Sequence, residues 1–77
     1  MYLSLEKRCQ DILQRIIFAG GYLKIQDLAD EMEVSRRSVY YDLNKINEWL
    51  LQQGIEPFIA ERSKGIFANP EQVRLIQ

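Results

Sequence analysis

The side chains best equipped for recognition chemistry stand together at Ser35, Arg36, Arg37 and Ser38, followed at once by Tyr40 and Tyr41. Each arginine carries a planar fork of donors that fits the O6 and N7 acceptors of guanine bidentately or grips a phosphate. Tyr41 adds a hydroxyl and a ring face, which suit a base edge or a thymine methyl. Cations at the start of a helix oppose its dipole, so Arg36 and Arg37 are mildly unfavourable to the helix itself and point to a use outside it. The reading set is therefore Arg36, Arg37 and Tyr41. Ser35, Ser38, Tyr40 and Lys45 around it, with Lys24 and Gln26 further upstream, supply donors for flanking phosphates, which fix register and carry no sequence code. Tyr40 has the alternative of packing on the flank of its helix. A second cluster, Arg62, Ser63 and Lys64, precedes a glycine and suits either a phosphate or a narrow minor groove, or is no more than the charge of an ordinary turn.

Other chemistries find little to work with. The chain has no histidine, no glycine-rich phosphate loop and no carboxylate pair converging on one scaffold, so no catalytic residue and no cofactor is expected. Cys9 is the single cysteine, which leaves no disulfide framework and no metal ligand set, and it falls on an apolar helical stripe as a small core residue. An apolar share of 47% argues for a folded domain, and 77 residues suffice for one small core. The apolar stretches are too short to span a membrane and the first residues lack a signal-peptide core, so the expected location is cytoplasmic. Net charge is −1, unlike the basic excess usual in nucleic-acid binders. Position matters more than the sum: residues 1–35 hold four Lys/Arg against six Asp/Glu, whereas residues 36–77 hold six against five.

These groups need elements to aim them. Leu5, Cys9, Ile12, Leu13, Ile16 and Ile17 recur on one helical face, with Ser4 as the expected cap and Gly20-Gly21 as the stop. Tyr22 and Leu23 then run extended. A second helix is predicted over Ile25–Met32, turning Leu28, Ala29 and Met32 inward and Asp27, Asp30 and Glu31 outward. Ser35 caps a third helix reaching about Gln53, closed by Gly54, whose apolar stripe is Val39, Leu43, Ile46 and Leu50 and whose opposite face carries Arg37, Tyr41, Asn44 and Glu48. Trp49 sits beside that stripe, in the core or against the hairpin, and Lys7, Arg8 and Arg15 are expected to face solvent. Residues 58–62 and 66–68 read as two strands joined through Ser63, Lys64 and Gly65. Asn69 and Pro70 spell a further helix start.

Between Ile25 and Leu43 the spacing is that of a helix-turn-helix. Ala29 is small enough for a close crossing, Val34 plugs the gap below the turn, and Val39 packs back between the helices. Glu33 stands where the turn usually has glycine and must adopt its backbone. The fold class that follows is mainly α with a small β wing: a winged helix-turn-helix with a three-helix core, a two-stranded hairpin and the start of a fourth helix. Residues 1–68 form that domain. Residues 69–77 are expected to begin a following helix or a linker to further domains of a longer protein.

The run from Val34 to Leu50 resembles the N-terminal domain of phosphotransferase-system-regulated bacterial transcription activators, the mannitol-operon-activator and lichenan-operon-regulator kind. The likeness continues into the wing at Lys64, Gly65, Ile66 and Phe67, where that family tends to place a glycine-aromatic pair. Biotin-operon-repressor and deoxyribose-operon-repressor domains share the Val-Ser-Arg start and the Asp-Leu or its equivalent. The resemblance implies binding of double-stranded operator DNA, a homodimer in the full-length protein, and sugar-transport phosphotransferase proteins as partners of later domains. A winged-helix protein-interaction module that never reads bases is the alternative, and the acidic balance suits it.

Overall fold

The computed structural model describes residues 5–76 as four helices and a hairpin: α1 (Lys7–Phe18), α2 (Ile25–Met32), α3 (Arg36–Gln52), β1 (Ala60–Glu61), β2 (Gly65–Ile66) and α4 (Pro70–Ile76). Burial follows the apolar stripes. Cys9, Ile12, Leu13 and Ile16 of α1, Leu28 and Ala29 of α2, and Val39, Leu43, Ile46 and Leu50 of α3 close into one core with Phe58 and Ile66 beneath the hairpin. Trp49 belongs to this core. Each fully buried Leu or Ile side chain contributes on the order of 1.5–3 kcal/mol, so α3, which buries one face from Val39 to Leu50, is the axis on which the other helices are hung.

The helix ends explain where α3 begins. Glu33 takes the left-handed conformation (φ 56°, ψ 44°), its amide donating to Asp30, while the Val34 amide donates to the Ala29 carbonyl at 3.0 Å. This sharp stop turns the chain into Ser35, whose Oγ accepts from the Ser38 amide at 3.1 Å and caps α3. At the other end of the domain, Ser4, the expected cap of α1, lies outside the described residues; Glu6 occupies the cap position and its side chain caps nothing. α1 stops at Phe18, just before Gly20 enters positive φ.

The wing is shorter than the expected 58–62 and 66–68. Phe58 is withdrawn from strand pairing because Asn47 of α3 takes both of its backbone groups, donating to its carbonyl at 3.0 Å and accepting from its amide at 2.9 Å. The remaining ladder pairs Ala60 with Ile66 and Glu61 with Gly65, antiparallel. Leu23 adds a third rung on the outer side of Ile66 through two 2.8 Å hydrogen bonds. Gly65 permits this close approach: its φ is 103°, and a Cβ there would stand 2.2 Å from the Leu23 carbonyl oxygen.

α4 packs on the same body. Asn69 and Gln72 cap its start reciprocally, and the Gln72 side-chain amide reaches on to the Glu56 carbonyl at 2.8 Å, tying α4 to the segment that leads into the wing. Ile76 is buried against the core. No helix among the described residues is long and apolar enough to cross a membrane.

Candidate nucleic-acid interface

The start of α3 is open to solvent because the core holds only one face of the helix. Arg36 and Arg37, in the first turn, are exposed, and Tyr40 and Tyr41 follow on the outer side. Arg37, Tyr41 and Lys45 are four residues apart and form one row along the helix. Ser35 and Ser38 are engaged with each other, the Ser35 hydroxyl donating to the Ser38 hydroxyl at 3.2 Å.

Three elements meet beside this row. A cleft of about 260 Å³ is lined by Lys24 and Gln26 from the start of α2, Arg36 and Tyr40 from α3, and Glu61, Arg62 and Ser63 from the hairpin. Residues from three separate stretches of the chain thus share one concave surface. Gln26 is also bonded to Asp30 at 2.9 Å. Lys64 sits nearer the hairpin tip, its ammonium 5.6 Å from the centre of the Tyr22 ring. Tyr22 in turn stacks on Phe67, with ring centres 5.3 Å apart, and donates its hydroxyl to Glu61 at 2.7 Å. That hydrogen bond to a carboxylate raises the Tyr22 pKa above its ordinary value. The wing is thereby strutted against the segment before α2.

Lys45 lies apart from the cleft. Its ammonium donates to Glu6 at 2.8 Å and covers the Tyr41 ring at 4.6 Å. The hydrogen bond lowers the Glu6 pKa and raises that of Lys45.

Ion pairing divides the cations of the chain in two. Lys7, Arg8, Arg15, Lys45 and Arg74 each hold a carboxylate, from Asp11, Asp42, Glu31, Glu6 and Glu71 respectively. The other five, Lys24, Arg36, Arg37, Arg62 and Lys64, have no carboxylate partner among the described residues. Those five are the cations of the α2 start, the α3 start and the wing. Among the described residues, a chain with a net charge of −1 therefore leaves positive charge uncompensated at these three elements, and Lys24, Arg36 and Arg62 of the five line the cleft together.

Several positioning residues escape a reading of local sequence. Arg8, expected to face solvent, grips the carboxylate of Asp42 through both Nε and Nη2, and Asp42 is fully buried on α3. The pairing raises the Arg8 pKa, and the Cys9 thiol beside it is raised by burial. The available signal was Asp42 itself, a carboxylate set among Val39, Leu43 and Ile46, where burial demands a cation. Asn47 and Gln72 carried no such signal.

Searches among curated proteins and solved structures give no match. A family model described as an HTH domain matches residues 8–67, which takes in α1, the α2–α3 crossing and the wing. The chain belongs to this helix-turn-helix family of DNA-binding domains.

Proposed function

We propose that this domain binds double-stranded DNA sequence-specifically, as the reading head of a bacterial transcription regulator, with the start of α3 in the major groove. One observation carries the reading: the five cations without a carboxylate partner among the described residues all belong to the α2 start, the α3 start and the wing. In this arrangement Arg36, Arg37 and Tyr41 meet base edges, and Lys24, Gln26, Ser35, Ser38 and Tyr40 meet phosphates on either side. Arg62, Ser63 and Lys64 reach the backbone or the adjacent minor groove. Control of a carbohydrate-uptake operon, dimerisation and phosphotransferase partners rest on the resemblance of the Val34 to Leu50 run alone.

Binding of a labelled random-sequence duplex at low salt, followed by selection from a random pool, tests the proposal. A DNA reader binds the random duplex weakly and enriches a motif. The net charge of −1 favours a second reading, a protein-interaction module, which would leave the random duplex unbound.

A further inference from the structure

The exposed row of α3 ends in a contact that its local surroundings do not require. Lys45 is the last member of the Arg37, Tyr41 and Lys45 row and the one cation of α3 beyond its first turn. Its partner, Glu6, stands at the N-cap of α1, a position that favours short Ser, Thr, Asp or Asn side chains. Instead of capping its own helix, the Glu6 carboxylate reaches across to α3, 39 positions away in sequence. The Glu6 side chain is 69% exposed and that of Lys45 35%, and a pair this open adds little to stability.

The neighbourhood shows which carboxylate can exchange. The Glu6 carboxylate lies within 4.8 Å of the carboxylate of Asp42 and the thiol of Cys9, but the cations Arg8 and Lys45 stand beside it and keep it ionised. Asp42 is buried and held at both oxygens by Arg8, whereas Glu6 is held by the hydrogen bond from Lys45. Of the two carboxylates, Glu6 is the exposed and singly held one, and so the one a solvent-borne anion can replace. The Lys45 ammonium it leaves behind stays beside Tyr41, on the row that the proposed docking turns toward DNA.

We propose that Glu6 is a resident counter-ion that occupies the place of a backbone phosphate on Lys45: as α3 docks, a phosphodiester exchanges for the Glu6 carboxylate, and Lys45 meets DNA only through that exchange. The inference rests on the reading of α3 as the DNA-facing helix. Its consequence is selectivity. Until a duplex is seated closely enough to displace Glu6, the charge of Lys45 is cancelled, and loose association with arbitrary DNA is weakened by the equivalent of one phosphate.

The test measures affinity of the whole chain for a random-sequence duplex at low salt. Four proteins are compared: wild type, Glu6→Gln, Lys45→Met and the double variant, with Glu31→Gln as a control that removes the same charge from the Arg15 pair. Glu6→Gln is expected to tighten binding by roughly threefold to tenfold, the effect of neutralising about one more phosphate. The gain should vanish in the Lys45→Met background, and Glu31→Gln should leave affinity at the wild-type level. If wild type binds but Glu6→Gln matches Glu31→Gln, or the gain survives without Lys45, the exchange is refuted while the DNA reading stands. A wild-type chain that binds no duplex overturns both.

Discussion

The start and the middle of α3 use charge in opposite ways. Toward the middle of the helix, Asp42 is buried and gripped by Arg8 of α1, which fastens the two helices, and Lys45 is held by Glu6 at the α1 cap position. At its start, Arg36 and Arg37 face outward and, with Lys24, Arg62 and Lys64, have no carboxylate to hold them among the described residues. Long side chains left unpaired keep their rotamer freedom, while those in buried pairs give it up for packing and orientation. The lesson is a separation of duties: the Arg8–Asp42 pair fastens α1 to α3, and the unpaired cations are left outward at the α2 start, the α3 start and the wing.

The separation is open to attack by mutation, and the largest effect should come from the paired side. Asp42→Ala removes a fully buried acceptor and leaves Arg8, whose side chain is 44% exposed, to solvent. A loss of about 2–3 kcal/mol is expected, or on the order of 10–20 °C in Tm for a domain this small, read by thermal unfolding. Unmoved stability would deny the pair its structural role.

Arg37→Ala should behave in the opposite way. If Arg37 reads a guanine, its removal costs about 1–3 kcal/mol on a selected site, with random-sequence binding less affected. Stability should shift by about 0.5 kcal/mol or less, since the residue is exposed and caps nothing. Arg37→Lys sharpens the point: lysine keeps the charge and loses the planar fork, so a phosphate contact would largely survive and a guanine contact would lose selectivity at one base position.

A smaller effect is expected at the turn that divides the helices. Glu33 holds φ 56° without the freedom of glycine, so Glu33→Gly should stabilise the fold by about 0.5–1 kcal/mol in denaturant unfolding while duplex affinity stays constant. A destabilised variant would mean that the Glu33 side chain has work beyond the turn.

The smallest effect concerns the exposed pair of Glu6 and Lys45. Its hydrogen bond depresses the Glu6 pKa, so the stability it gives is present above the ordinary carboxylate value of 4.5 and is lost as pH falls through the lower, folded value. The raised Lys45 pKa gives stability that is full below 10.5 and lost as pH rises through the higher, folded value. Glu6→Gln should therefore lower Tm slightly between these limits and match wild type at pH well below 4.5. A gap that persists in acid would point to packing rather than charge.

Sequence reasoning reaches the elements better than the contacts between them, and the residues show why. The bounds of α2, Ile25–Met32, follow from an apolar period bounded by turn residues, all close together in the chain. The strained backbone at Glu33 was likewise legible, because the turn demands it whatever residue stands there. The shortened wing was not, since Asn47 must first be brought against Phe58 by the packing of α3 before it can remove that residue from the ladder. The same holds for Arg8 with Asp42 and for Glu6 with Lys45: 34 and 39 positions separate the partners, and only the tertiary fold selects them. At the candidate site, the residue types were legible and their convergence on a cleft of about 260 Å³ was not.

The central claim, that the unpaired cations are the DNA-facing set, is tested most directly by the slope of log affinity against log salt for a random duplex. Lys24→Gln with Arg62→Gln removes two unpaired cations that line the cleft; Lys7→Gln with Arg74→Gln removes two paired ones elsewhere at equal net charge. The first variant should flatten the slope by roughly two units relative to wild type, one for each phosphate no longer neutralised, and the second should leave it unchanged. Equal slopes for the two variants would contradict the account.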